Sequence, residues 1–454
     1  MNPGDTAWVL ASAALVMLMT PGLAFFYGGM VSSKSVLNML MMNFITLGVV
    51  GVLWLVYGYS ESFGDGAYGG GWFGRIVGGL HNAFLSHTQG TLAGPKGDQI
   101  PTLSFVMFQL MFAVITPALI SGSIADRTKF WSWVLFVSVW VTIVYFPVAH
   151  WVFSFDGFTG VSDVGGWIAN KLKAFDFAGG TAVHINAGAA GLALALVLGK
   201  RKGWPKNVAR PHNVPHVLLG AALLWFGWYG FNAGSALAAG DLASVAFTTT
   251  TIATGAALLG WIVVEQFRDG KPTTLGAASG AIAGLVAITP ACGYVDPMGA
   301  LVIGIAAGVI CALAVGLKYK LGFDDSLDVV GVHLFGGIVG TLLIGFFADA
   351  SVNPSGGGNG LFHGGGWNQM WRQAVAAGSV LVYSFVFAFI IGWIINKTIG
   401  FRVSAEAEIS GIDEAEHAES AYEFTGPTGT RTSVSAPPPP VPATAAAAGK
   451  GSLS

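Results

Sequence analysis

The hydrophobic positions of this 454-residue chain fall into long runs with no polar face, separated by short stretches rich in Gly, Pro, Lys and Arg. A helix that is apolar all round is buried or faces lipid, and roughly 17–25 such residues cross a bilayer. The pattern predicts eleven helices, near 7–31, 36–59, 103–124, 131–153, 176–198, 215–237, 243–266, 273–290, 298–317, 328–348 and 371–396. An odd number puts the termini on opposite sides, and the basic residues test the count. Segments after odd-numbered spans hold Lys34, Arg127, Lys129, Lys200, Arg201, Lys202, Lys206, Arg210, Arg268, Lys271, Lys318, Lys320, Lys397 and Arg402, against Arg75, Lys96, Lys171, Lys173 and Arg372 in the others. That asymmetry predicts an N-terminus outside and a C-terminus in the cytoplasm. The expected fold class is an all-α integral membrane protein with eleven transmembrane helices.

The polar stretches divide into two materials. Two long outer loops, about 60–102 and 349–370, are rich in Gly and aromatics (GDGAYGGGWFG, NPSGGGNGLFHGGGW) and read as ordered caps over the bundle rather than lectin-like or catalytic elements. From about Ser404 onward come the acids Glu406, Glu408, Asp413, Glu414, Glu416, Glu419 and Glu423, then APPPPVPATAAAAGKG, whose composition predicts disorder toward the end. Residues 1–403 are therefore expected to form the membrane domain and 404–454 a cytoplasmic tail.

Composition removes whole classes of function. Hydrophobic residues make up 53% and charged residues 10%, whereas soluble chains carry about a quarter charged. With a formal net charge of -2 and no basic run, nucleic acid is not an expected partner; membrane lipid is. Cys292 and Cys311 lie in or beside apolar segments, so neither a disulfide framework nor a metal quartet is expected. Nucleophile elbows, phosphate loops and cofactor motifs are missing, so neither an enzyme nor a cofactor is expected. The first apolar run, from about Trp8, has no preceding Lys or Arg and no convincing cleavage site; it reads as a span rather than a signal peptide.

Candidate chemistry then comes from histidines placed where ionisable groups are costly. By this map His184 and His333 alone lie well inside spans, and their surroundings match: VHINAGAAG at 183–191 and VHLFGGIVG at 332–340 share V-H-[IL]-x-[AG]-G-x-x-G. One copy sits on an inward-running span and the other on an outward-running one, the mark of two five-helix halves of inverted topology, about 7–200 and 215–350, followed by the last helix. Such halves place their site at the interface near the midplane. At about 1.5 Å per residue, His184 lies roughly 12 Å in from Asp176 at the outer end and His333 roughly 8 Å in from Asp328 at the inner end, which allows them to be within about 10 Å in depth. Gly188 and Gly191, like Gly337 and Gly340, share a helix face with their histidine and permit close helix contact. One buried histidine is commonly a structural hydrogen bonder. Two at repeat-related positions point to a polar pathway, while Asp176 suits an N-cap.

The segment DFAGGTAVHINAGAAGLALALVLGKR at 176–201 resembles the signature of the ammonium transporter (Amt/Mep/Rh) family, as do FFYGGMV at 25–31, WYGFNAGS at 228–235 and DVVGVH at 328–333. The resemblance implies eleven helices per subunit and a homotrimer with one pore in each subunit. By it, Asp176 supports cation recruitment, Ser235 supplies the hydroxyl of the outer site, Phe112 and Phe231 form a stacked gate, and His184 with His333 are the twin pore histidines. Where many members carry a Trp in the outer site, FPVAHWVF at 146–153 places Phe153, a weaker cation-π partner. Trp151 projects in another direction. The stretch GIDEAEHAESAYEF at 411–424 resembles the family tail, implying packing on the inner face and a trimeric nitrogen-regulatory signal protein as partner; composition alone reads it as a solvated acidic linker. Expected function is ammonium transport across the cytoplasmic membrane. The alternatives are a pore for another small neutral solute, such as urea or carbon dioxide, and an ammonium sensor, for which a tail of about fifty residues after Phe401 offers little room.

Overall fold

A chain in hydrocarbon must satisfy its own backbone N–H and C=O groups, which an α-helix does within one segment. The computed structural model describes residues 1–65, 71–160 and 164–422; the proline-rich end of the tail and part of the first glycine-rich loop lie outside them. Among the described residues, ten helical segments are long and apolar enough to cross a membrane. They are α1 (Pro3–Met30), α2 (Val36–Phe63), α3 (Thr102–Ile124), α4 (Phe130–Phe153), α5 (Gly180–Leu198), α6 (Val214–Gly234), α7 (Asp241–Asp269), α9 (Pro297–Leu321), α10 (Val330–Phe347) and α11 (Asn368–Thr398). Between α7 and α9 lies α8 (Thr274–Ile288), apolar but shorter. Two short helices follow, α12 (Ala405–Ser410) and α13 (Ile412–His417).

Small residues decide which helices meet. Along α1 and α6, Gly22 faces Leu223 and Leu224, Gly29 faces Asn213 and Val217, and Gly230 faces Ser12 and Leu15. Helix backbones approach closely where no Cβ intervenes. Helices α3 and α5 are the most enclosed, with 83% of their apolar windows buried, against 33% for α2 and α11 on the periphery. The enclosed pair carries Phe112 and His184, and the outer pair is the most exposed.

One departure from the all-helical expectation is small. Leu92–Ala93 pairs antiparallel with Ile100–Pro101, within the first long loop. Gly94 and Gly97, at φ +107° and +110°, supply the left-handed conformations that this tight reversal needs.

On one face the segments following α1, α3, α5, α9 and α11 bond to one another. Arg127 is fully buried and donates to the carbonyls of Ser123 (3.0 Å) and Asp324 (2.6 Å), while Arg201 meets Asp324 at 3.0 Å and Asp126 at 3.2 Å. Burial pushes the Asp324 carboxyl up, but the hydrogen bonds and charge of Arg201, with the charge of Arg127, hold it below the usual carboxylate range. The tail joins this face. Asp413 accepts from the N–H groups of Leu37 (3.0 Å) and Asn38 (2.8 Å), opening α2, and Glu416 from that of Phe130 (2.9 Å), opening α4. Carboxylates there complement the positive ends of two helices. As far as His417 the tail is docked, unlike a solvated linker.

Replacing Arg127→Met should cost on the order of 3 kcal/mol of stability, because it removes the counter-charge 3.9 Å from the buried Asp324 carboxylate and takes a donor from two carbonyls. Thermal unfolding in detergent measures it. The contribution of Asp324 is present above its unfolded value and lost as pH falls through its depressed folded value, so the deficit of an Asp324→Asn variant should shrink in acid.

Candidate functional site

The two histidines occupy matching local structures. His184 lies in the widened turn Gly180–Ile185 and His333 in the widened turn Val330–Leu334, each made of i→i−5 bonds at the head of its helix. Such π turns displace side chains from the regular α-helical positions and recur at functional sites. Each turn is preceded by a buried carboxylate. Asp176 accepts from the N–H groups of Gly179 and Gly180 (both 2.7 Å) and Thr181 (2.8 Å), and from the Thr181 hydroxyl. Gly179, at φ +114°, lets the chain curl around that carboxylate. Asp325 accepts from the N–H groups of Val329 (3.2 Å) and Val330 (2.7 Å).

The repeat is therefore D-x7-H in both places: DFAGGTAVH at 176–184 and DSLDVVGVH at 325–333. This corrects the expectation that Asp328 heads the second copy. Asp328 has a positive φ of 63° and pairs with Lys318 at 2.6 Å. Asp325 was the missed residue, and the equal spacing was its signal.

The glycine faces bring the two helices together. A Cβ on Gly188 would lie 2.5 Å from the Leu334 nitrogen, and one on Gly337 3.0 Å from the Gly180 carbonyl. As a result, His184 Nδ1 and His333 Nδ1 are 3.3 Å apart and the rings lie near parallel, with centroids 5.4 Å apart. Between two imidazoles, one nitrogen donates and the other accepts. His184 Nε2 is buried with no partner among the described residues.

Apolar rings line the approach. Phe112 and Phe231 stack with centroids 4.2 Å apart, and the Phe231 ring lies 6.1 Å from that of His184. Beyond them a cavity of about 120 Å³ is bordered by Phe112, Phe153, Asp176 and Ser235, with Gln109, Phe177 and Tyr294. All four expected outer-site residues thus meet at one vestibule. Ser235 donates its hydroxyl proton to the Phe231 carbonyl at 2.8 Å, so toward the cavity it offers lone pairs. Every Asp176 oxygen is already bonded to its own loop, which makes it a source of potential rather than a ligand. Trp151 turns away, donating to the Ile76 carbonyl. Past His333, a small cavity of about 20 Å³ touches Tyr27, Met30 and Asp328.

Two further residues escaped the sequence reading. Trp228 lies 5.4 Å from His184, nearly parallel, and is fixed by its bond to Thr289 Oγ1 at 2.8 Å. One helical turn from Phe231 in the same WYGFNAGS motif, it was legible by spacing alone. Tyr294, between α8 and α9, carried no local signal. Among the described residues, no group of three His, Cys, Asp or Glu side chains is placed to hold a metal ion.

A bundle of apolar helices enclosing a line of aromatic rings and paired imidazoles, reached from a vestibule, defines a multi-pass membrane transporter or channel. Residues 7–422 match the Ammonium Transporter Family, and the chain belongs to that family. It is similar to the ammonium transporter of Mycobacterium tuberculosis, 61% identical over 439 residues, covering 94% of this chain and 92% of the relative. Among solved structures it is similar to Saccharomyces cerevisiae Mep2, with a TM-score of 0.78, 33% identity, and coverage of 89% of this chain and 88% of that one. It is also similar to a sensor Amt protein, with a TM-score of 0.81, 28% identity, and coverage of 91% and 98%. The family is one of transporters, not enzymes.

Removing the Asp176 carboxylate by Asp176→Ala should leave several buried N–H groups without an acceptor, costing about 2–3 kcal/mol of stability. Ammonium uptake by vesicles carrying it should fall at least about tenfold; melting curves and uptake on one preparation check both.

Proposed function

We propose that this protein carries ammonium inward across the cytoplasmic membrane by taking its proton off at the vestibule and passing ammonia and proton separately along the His184/His333 line. The observation that carries this reading is the 3.3 Å contact between the two Nδ1 atoms, reached from the vestibule through the stacked Phe112 and Phe231 rings. In the proposed arrangement α8 is a span like the others, giving eleven. The N-terminus is outside, the basic face bearing the tail is cytoplasmic, and α1–α5 and α6–α10 are inverted halves. The matched D-x7-H turns support that symmetry. A homotrimer is part of the proposed arrangement, with family membership as its support.

Ammonium and potassium are similar in size, so selection must use what differs: ammonium donates hydrogen bonds and can lose a proton. In the vestibule the cation meets the faces of Phe112 and Phe153, the lone pairs of Ser235 and the potential of Asp176. Phe153 in place of a Trp lowers affinity at this step. The Phe112/Phe231 gate admits a neutral molecule, because a bare cation would be desolvated there. Ammonia then hydrogen-bonds to the imidazoles; separately, a proton taken up at His184 Nε2 sends the His184 Nδ1 proton to His333 Nδ1, and His333 releases its Nε2 proton inward, so that both rings exchange tautomers. A urea or carbon dioxide pore would need no acid, hydroxyl and aromatic cluster at its mouth.

A sensing role has one specific support: the docked tail, with Asp413 and Glu416 capping α2 and α4, could pass a change at the cytoplasmic face to the helices. A trimeric nitrogen-regulatory signal protein is the proposed partner of that face.

In reconstituted vesicles with membrane potential recorded, changing both histidines to Leu should abolish ammonium-evoked current. Undiminished, selective current would refute the relay. Deleting residues 404–454 should lower uptake several-fold; a dispensable linker would leave it unchanged.

A further inference from the structure

Asp176 is flanked by two residues whose backbones are held from different helices. Phe177 donates its N–H to the Pro290 carbonyl at 3.0 Å. Phe175 is held at both backbone groups by one side chain, Gln373 of α11: its N–H donates to Gln373 Oε1 at 2.6 Å, and its carbonyl accepts from Gln373 Nε2 at 2.7 Å. The same Nε2 donates to the Thr341 carbonyl at 3.1 Å, and Oε1 accepts from Gln369 Nε2 at 2.9 Å. Both donors and both lone-pair directions of the amide are thus used, and the side chain has no solvent exposure.

Those four bonds connect parts of the site that share no sequence neighbourhood. Thr341 lies on α10, about two turns beyond His333. Phe175 stacks on Tyr294, with centroids 4.7 Å apart at 16°, and Tyr294 lines the vestibule beside Asp176. We propose that Gln373 is a positioning residue for ammonium recruitment, fixing the Asp176 loop and the Tyr294 wall of the vestibule relative to the helix that carries His333. The proposal rests on the transport reading above. It assigns α11, which lies outside both inverted halves, a part in recruitment. Gln369, one turn earlier, braces the amide and also reaches the Lys173 carbonyl at 3.3 Å.

The loop should respond to the amide's donors separately from its acceptors. Gln373→Met keeps the volume and removes all four bonds. Gln373→Glu keeps the acceptors for Phe175 and Gln369 but, when ionised, presents oxygen to the Phe175 and Thr341 carbonyls; protonation returns one donor. In vesicles holding the full chain, the half-saturating ammonium concentration of Gln373→Met should rise about tenfold. Its maximal rate should stay within about two-fold of the parent. For Gln373→Glu the same constant, relative to the parent at each pH, should fall toward the parent value between about pH 8 and about pH 6, a recovery that Gln373→Met should not show. If Gln373→Met is not recovered in the membrane, Gln369→Met should give a smaller shift in half-saturation. An unchanged half-saturation constant with only a lower melting temperature, or an equal fall in half-saturation and maximal rate, would overturn the positioning role. If the parent vesicles take up no ammonium at all, the transport reading itself fails instead.

Discussion

Two imidazoles from different helices, 3.3 Å apart at their Nδ1 atoms, set the demands that the rest of the bundle meets. Such a contact needs helix axes close enough that side chains on both would collide, and the glycines facing across α5 and α10 remove them. It needs both rings rotated off the regular helical surface, which the widened turns provide. Widened turns in turn leave N–H groups at the helix head without partners in a region of low dielectric. Asp176 and Asp325 accept from those groups, and the hydrogen bonds offset part of the cost of burying the two carboxyls. Acid, glycine face and histidine are therefore one device, used twice.

Of the buried side-chain atoms left without a hydrogen-bond partner among the described residues, one belongs to the site and another lies two residues along the chain from it. His184 Nε2 and Asn186 Oδ1 are buried without partners among the described residues, in a structure where most such groups are satisfied. Beside His184 lie Phe231 and Trp228, with Phe112 stacked on Phe231, and all three offer faces and no acceptors. Trp228 is held by Thr289, and Asn232 donates to Thr250 at 2.9 Å, so the pore wall is braced from behind rather than from within. An apolar wall with one unpartnered ring nitrogen suits the small hydrogen-bonding solute of the proposed mechanism.

How much of this the sequence carried depended on whether a feature was periodic. Span positions were legible because hydrophobic length is a local property; the helices fall within a few residues of the expected boundaries, as α3 at Thr102–Ile124 does for 103–124. The clearest offset is at α5, where Asp176 caps from outside and the helix begins at Gly180. His184 and His333 were legible because their motif recurs. Asp325 was legible by the same logic but was hidden by Asp328, an acid nearer the histidine. Tyr294 and Gln373 were not legible, because their roles come from packing between segments far apart in sequence: Gln373 meets Phe175 across 198 residues. In an apolar helix, one Gln has no pattern to depart from.

In the proposed mechanism, selection against potassium follows from magnitudes. Moving a small ion into a medium of dielectric about 4 costs on the order of 20 kcal/mol in the ideal limit and still several kcal/mol after relaxation. A cation over aromatic faces recovers about 0.5–2 kcal/mol and a charged hydrogen bond about 1.5–3 kcal/mol. The vestibule can hold a cation on those terms because it remains open to water; the space between Phe231 and His184 cannot. Losing a proton costs ammonium about 3 kcal/mol at neutral pH, taking its proton affinity to resemble that of a typical amine at roughly two units above pH 7. For a cation able to deprotonate, that route is the cheaper one, and potassium has no equivalent. The gate therefore need not recognise potassium to exclude it. In that mechanism it needs only to exclude water, a task that the stacked Phe112 and Phe231 rings above a glycine-packed helix pair are shaped for.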